Sequence, residues 1–267
     1  MAPDTHTGAD EKILLRDVKD GICALNLNRP EKRNPLSTQM LSALQDALDD
    51  IAEEKSIKVV ILAAKGPVFS AGHDLKEMRN NTNYEFIHEL FQQCSRMMVT
   101  LNRLPQPVIA KVHGIATAAG CQLVASCDLA IAAEDARFGT PGVTNGLFCS
   151  TPAVAVSRAI SRKHAMEMLL MGKLFSADEA YRFGLINKIV PSEELDAIVN
   201  ELAKSIASRS TLTTSMGKDA FYRQLDMDVE DAYALASDVM ARNMMEHDAQ
   251  EGIDAFFQKR NPEWKGR

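Results

Sequence analysis

The sequence predicts an α/β fold, and three observations carry that reading. Lys58–Ala64 (KVVILAA) is an unbroken apolar run, the mark of a strand covered on both faces, as in a parallel sheet. Val108–Val112 and Leu129–Ala133 repeat the pattern downstream, with helix-patterned segments between the runs. Beyond about Pro191 the strand pattern stops and only helical spacing remains.

Taken in order, Lys12–Val18 and Ile22–Asn28 read as two strands joined at Asp20-Gly21, a strong hairpin signal. Ser37 is placed to cap a helix whose apolar residues Met40, Leu41, Leu44, Leu48 and Ile51 follow helical spacing. A loop with Gly66, Pro67 and Gly72 follows the first apolar run. A long amphipathic helix then spans about Tyr84–Leu104, with Phe86, Leu90, Phe91, Met97 and Leu101 inward, and Pro105 and Pro107 stop it. A short helix entered through Gly114–Gly120 links the last two apolar strands. Glu193–Ala207, Leu212–Gln224, Val229–His247 and Gln250–Lys259 form the helical tail. The chain therefore divides into a core, residues 1–195, and a C-terminal helical region, residues 196–267. A tail of this kind packs on the core or on a neighbouring subunit.

Bulk properties narrow the function. The 267 residues are 46% hydrophobic and 25% charged, as in an ordinary globular protein. A net charge of -6 gives no general basic field, which counts against nucleic acid as the main partner while leaving local Lys/Arg clusters free to hold a phosphorylated small molecule. No apolar run reaches the roughly 20 residues of a membrane helix. The polar N-terminus, MAPDTHTGADEK, has neither an apolar h-region nor arginine enrichment, so a cytoplasmic location is expected, or the mitochondrial matrix if a leader has been removed. The five cysteines, Cys23, Cys94, Cys121, Cys127 and Cys149, are odd in number and scattered, and read as small buried hydrophobes. His88, His113 and His164 lack metal-ligand spacing, and no metal is expected.

Two segments carry the chemistry. Val68–Lys76 (VFSAGHDLK) directly follows the first buried strand and its loop, and His113–Leu123 (HGIATAAGCQL) directly follows the second. Small residues let a backbone approach a ligand closely, and a helix N-terminus directs unpaired N–H groups outward. Two such turns facing each other form an oxyanion hole from main-chain donors alone. On these residues alone the signal is weak, and two tight strand-to-helix turns are the better reading.

The wider pattern resembles the crotonase (enoyl-CoA hydratase/isomerase) superfamily. FSAGHDLKEM is similar to its FxAGADLxEM segment, and Asn28–Leu36 (NRPEKRNPL) to its early NRPxxxNAL segment. Cys127–Val143 (CDLAIAAEDARFGTPGV) is similar to its central strand and loop. Ala165–Gly172, Ser176–Ala180 and Gly184–Ile186 resemble its MEMLLTG…SAxEAxxxGLV run, and Glu251–Pro262 its EGxxAFxxKRxP. The matches occur in order over nearly the whole chain. Within the superfamily, GHDL, AAGCQL, TPGV and GLFCSTP together resemble the subgroup called enoyl-CoA hydratase domain-containing protein 3.

The resemblance implies a spiral of ββα units, a C-terminal helical trimerisation region, and homotrimers or dimers of trimers. It implies an acyl-CoA substrate, with coenzyme A as part of that substrate and no separate cofactor. The thioester oxygen would be held by the backbone N–H groups of His73 and Ala119. Because Ala119 stands where the family has glycine, its backbone angle is the point to check. The two glutamates used for hydration fall on Gln122 and Gly142. Gln does not exchange protons near neutral pH, Gly offers no side chain, and losing one acid or base costs ~10²–10⁴ in rate. Ser150 falls about where some family isomerases carry an Asp.

The resemblance assigns coenzyme A contacts to Lys32, Arg33, Ala71, His73, Asp74, Leu75, Lys76 and Lys259, the last reaching a neighbouring subunit. For Lys32, Arg33 and Lys259 an exposed cation is the equal alternative. The His73 ring either acts on the substrate or faces solvent or coenzyme A while only its N–H works. Cys149 as a nucleophile lacks a visible His partner. Three functions follow: an enolate-stabilised acyl-CoA reaction other than hydration, acyl-CoA binding without turnover, or RNA binding. The acidic balance counts against the last.

Overall fold

Asp20 and Gly21 both take positive φ, 53° and 76°, the backbone of a tight two-residue hairpin. They join β1 (Leu14–Lys19) to β2 (Ile22–Leu27) in antiparallel register, Leu14 opposite Leu27. The computed structural model describes residues 12–267, so the reading of the first eleven residues lies outside the described residues.

After the hairpin come α1 (Thr38–Glu53), β3 (Val59–Ala64), β4 (Val68–Ser70), α2 (Leu75–Asn80) and α3 (Tyr84–Arg103). Next are β5 (Val108–Val112), β6 (Ile115–Thr117), α4 (Ala119–Ser126), β7 (Leu129–Ala133) and β8 (Arg137–Gly139). Then follow α5 (Ser150–Ala159), α6 (Arg162–Met171), β9 (Phe175–Ser176), α7 (Ala177–Phe183) and β10 (Lys188–Val190). The chain closes with α8 (Leu195–Ala207), α9 (Thr211–Gln224), α10 (Val229–Met245) and α11 (His247–Gln258). Ser37 caps α1 through the Met40 amide, and all five apolar residues expected on its inner face are buried.

Two sheets form. One runs β1-β2-β3-β5-β7-β10, parallel from β2 onward, and the other β4-β6-β8-β9. The pairs β3/β4, β5/β6 and β7/β8 each give one strand to each sheet, which is the spiral of ββα units that the resemblance implies. β4, β6 and β8 have three residues each, too short to show a period, and they fall where the sequence reads as loop.

β3 explains its own apolar run. Val60 and Leu62 face the main core with Leu41, Leu44, Met97 and Phe138, while Val59, Ile61 and Ala63 face a second core. α8 covers that second core with Leu195, Val199, Ala203 and Ala207, a stripe at four-residue spacing. The first helix of the C-terminal region is thus part of the sheet's covering.

α9 is tied down by charge. The buried Lys218 ammonium sits 2.7 Å from Asp128 and donates to the carbonyls of Leu101 (2.9 Å) and Gln106 (3.0 Å). The Tyr222 hydroxyl donates to the other Asp128 oxygen at 2.8 Å. Burial pushes the Lys218 pKa down, with Asp128 opposing it. At the C-terminus the buried Asp248 carboxylate accepts Ser210 Oγ (2.6 Å) and the Lys265 and Gly266 amides (2.7 and 2.9 Å). No helix among the described residues is long and apolar enough to cross a membrane.

Candidate active site

Asn34 organises the first turn. Held at φ 49° and fully buried, it donates from Nδ2 to the carbonyls of Lys65 (2.8 Å) and Val68 (2.7 Å) and accepts the Arg29 amide (2.8 Å). Ser70 Oγ donates to the Asn34 carbonyl at 2.9 Å and accepts the Gly72 amide at 3.3 Å. The Gly72 carbonyl in turn accepts the Leu36 amide at 2.8 Å. The exit of β4 is therefore fixed by a polar relay, and Asp74 then caps α2 through the Lys76 and Glu77 amides. Glu77 is itself engaged by the amide and hydroxyl of Thr38.

The second turn, at the exit of β6, lies directly against the first. A Cβ placed on Gly72 (φ 88°) would meet the Thr117 carbonyl at 3.1 Å and the Ala119 nitrogen at 3.2 Å. Gly120 is tighter still: a Cβ placed there would collide with the Ser70 carbonyl and stand 2.8 Å from Ser70 Cβ. The Ala118 amide donates to the Gly139 carbonyl at 2.9 Å, while the amides of His73 and Ala119 have no acceptor among the described residues.

The backbone question at Ala119 resolves one residue earlier. Ala119 is the first residue of α4, and Ala118 takes φ 50°, ψ −120°, a region that glycine favours and alanine enters only with strain. The Ala118 hydrogen bond to Gly139 and the abutting turn hold that strain in place.

The His73 ring does not face solvent. Its Nδ1 lies 3.0 Å from the Leu36 carbonyl, and the ring stands edge-on to Phe91 with centroids 5.2 Å apart. A carbonyl only accepts, so Nδ1 carries the hydrogen and Nε2 is left as a bare acceptor. Nε2 is buried with no partner. Burial pushes the His73 pKa down, against smaller opposing effects of the Leu36 carbonyl and Glu77.

Gln122 lies one turn into α4. It is 3% exposed, and its Oε1 likewise finds no partner. Gly142 stands in a 3-10 turn, Pro141–Asn145, whose exit folds back on it: the Leu147 amide donates to the Gly142 carbonyl at 2.9 Å. A Cβ there would collide with the Leu147 carbonyl and come within 2.7 Å of Cys149 Sγ. Burial raises the Cys149 pKa, partly offset by the Gly142 backbone, so at neutral pH the thiol is protonated and not a nucleophile. Ser150 is exposed as the first residue of α5, its Oγ directed to the Phe148 carbonyl at 3.4 Å. Four of the five cysteines are buried, Cys127 is partly so, and all are free.

Of the residues assigned to coenzyme A, most come together. The Ala71 amide donates to the Arg33 carbonyl at 3.0 Å, which sets the exposed Lys32 and Arg33 beside the exposed Ala71, Leu75 and Lys76 and the partly exposed His73 and Asp74. Lys259 is exposed at the end of α11, which packs on α9 and α10. A concavity of about 1070 Å³, lined by Asn102, Asp128, Arg158 and Tyr222 among others, contains none of these residues. Sequence reasoning missed Asn34 and Ser70 as positioning residues, although the asparagine stands inside the quoted NRPEKRNPL segment.

Comparison with known proteins places the chain. The enoyl-CoA hydratase/isomerase family model matches residues 17–267. Enoyl-CoA hydratase domain-containing protein 3, mitochondrial, from Homo sapiens is 50% identical over 245 residues, 92% of this chain and 81% of the relative. The 2,3-dehydroadipyl-CoA hydratase of Escherichia coli (strain K12) is 31% identical over 92% of this chain and 96% of its own length. A crystal structure of an enoyl-CoA hydratase from Mycobacterium smegmatis superposes with a TM-score of 0.94 at 50% identity, covering 95% of this chain and 99% of that one. With the spiral of ββα units, the two abutting turns and these likenesses in hand, the chain belongs to the enoyl-CoA hydratase/isomerase family.

Proposed function

We propose that this chain binds an acyl-CoA thioester and acts as an enzyme on it, using the free amides of His73 and Ala119 to hold the thioester oxygen. The observation that supports the reading is the abutment of the two turns at Gly72 and Ala118, each of which carries an N–H donor, His73 or Ala119, with no acceptor among the described residues. Donors aimed at a developing oxyanion favour reactions that pass through an enolate. Classical hydration is not the reaction: Gln122 cannot exchange a proton, and at Gly142 the Leu147 carbonyl and Cys149 occupy the space a side chain would need. An isomerisation, decarboxylation or thioester cleavage fits better. Lys32, Arg33, Ala71, Asp74, Leu75 and Lys76 border the coenzyme A moiety, and Ser150 lies on the acyl side. No cofactor beyond the substrate's own coenzyme A is needed.

Assembly as a trimer or a dimer of trimers accounts for the exposed apolar rows of the helical region, among them Phe221, Leu225, Tyr233, Met240, Phe256 and Phe257. It would also bring Lys259 to a neighbour's coenzyme A. The mitochondrial relatives support a matrix location, and free cysteines suit any reducing compartment, the cytoplasm included.

Incubation with a panel of CoA thioesters, read by mass spectrometry, tests the proposal. A new product supports the enzyme; thermal stabilisation by the esters without product marks an acyl-CoA binding protein instead. Rapid crotonyl-CoA hydration that Gln122→Ala abolishes sinks the reading.

A further inference from the structure

Two acceptors, His73 Nε2 and Gln122 Oε1, are buried without a donor, each in one of the two abutting segments that supply the free amides. An unpaired buried acceptor costs about 1–3 kcal/mol, so both call for a partner the chain does not provide. Resting on the acyl-CoA reading above, we propose that the imidazole of His73 is the base of this site, taking a proton from the carbon next to the thioester carbonyl.

The geometry supports the assignment in three ways. The imidazole belongs to the residue whose amide would hold the thioester oxygen, and covalent reach keeps Nε2 within about 6 Å of that amide nitrogen. The Leu36 carbonyl fixes the tautomer that presents a lone pair at Nε2. The neighbouring carboxylates are already committed, Asp74 to capping α2 and Glu77 to Thr38. Burial against Phe91 also keeps the ring neutral near pH 7, ready to accept.

The step balances without any co-reactant. Nε2 takes the α-proton, the C–H electron pair becomes a carbon–carbon π bond, and the carbonyl π pair moves onto the oxygen held by the two amides. The imidazolium then returns the proton to the same carbon, or to the far end of a conjugated chain, which shifts the double bond. Gln122 Oε1 accepts a hydrogen bond but takes no proton.

The test is α-hydrogen exchange of butyryl-CoA in D₂O, followed by mass spectrometry, with binding measured separately by calorimetry. The protein is expected to exchange the α-hydrogens. His73→Asn keeps the backbone amide and a side-chain donor for the Leu36 carbonyl, and it should bind within threefold of the parent yet exchange about 100-fold more slowly. His73→Gln, checked for an unchanged unfolding transition, should behave the same way. Exchange by either folded variant at the parent rate overturns the proposal, as does a parent protein that binds butyryl-CoA without exchange. Absence of binding overturns the acyl-CoA reading itself, and the base with it.

Discussion

A Cβ placed on Gly72 would stand 2.9 Å from the Cβ of Ala118, so the spacing of the two turns depends on glycine at that position. Its φ of 88° adds a conformation that side chains rarely adopt. Gly72→Ala should therefore push the turns apart, lowering stability by about 1–3 kcal/mol and weakening butyryl-CoA affinity at least tenfold. Chemical denaturation and calorimetry measure the two effects, and unchanged affinity would separate the turns from ligand binding.

Gly142→Glu should not create a hydratase. Its side chain would enter space held by Cys149 Sγ and the Leu147 carbonyl, and overpacking of that kind costs about 1–3 kcal/mol. The expected outcome is a lower melting temperature with crotonyl-CoA hydration still at background. A folded variant with rapid hydration contradicts the packing argument.

Lys218 anchors α9 through Asp128 and two carbonyls. Lys218→Ala leaves the partly buried Asp128 carboxylate with only the Tyr222 hydroxyl and the Val108 amide and should cost about 1–3 kcal/mol in urea denaturation. Lys218→Met combined with Asp128→Asn removes both charges and should recover part of that loss. If the single change is nearly silent, the pair does not hold the helix.

Asp248 links acid stability to the C-terminal tail. Burial alone would raise its pKa, but hydrogen bonds from Ser210, the Lys265 and Gly266 amides and His247 prevail and hold it below the usual value. A depressed carboxylate contributes stability above its ordinary pKa, and that contribution is lost as pH falls through the folded value. Asp248→Asn should thus be less stable than the parent at pH 7, the gap closing below about pH 4. A gap independent of pH would mean that the carboxylate's charge is irrelevant.

In the helical region Val229, Tyr233, Met245, Phe256 and Phe257 are all largely open, and the proposed trimer or dimer of trimers would cover them. Native mass spectrometry should find three or six chains per particle, and Tyr233→Asp with Phe257→Asp should reduce that number. A stable monomer at micromolar concentration would refute the assembly.

Sequence and structure agree where periodicity is strong. The buried runs at β3, β5 and β7 and the stripe of α1 were legible because each spans enough residues to show which faces are covered. β4, β6 and β8 were not, since three residues carry no period, and their pairing is a long-range property. The two turns of the candidate site were marked in the sequence by their small residues, but three features needed coordinates. The strained angle falls on Ala118 instead of Ala119, because Ala119 already belongs to the helix. The His73 ring turns inward, because the Leu36 carbonyl and Phe91 hold it there. Asn34 acts at a distance, bonding residues some thirty positions away.

The fold-back of residues 142–149 also bears on how such a protein changes over generations. Any lineage acquiring an acidic group at 142 meets a disfavoured intermediate unless Cys149 shrinks or the Leu147 segment lifts beforehand.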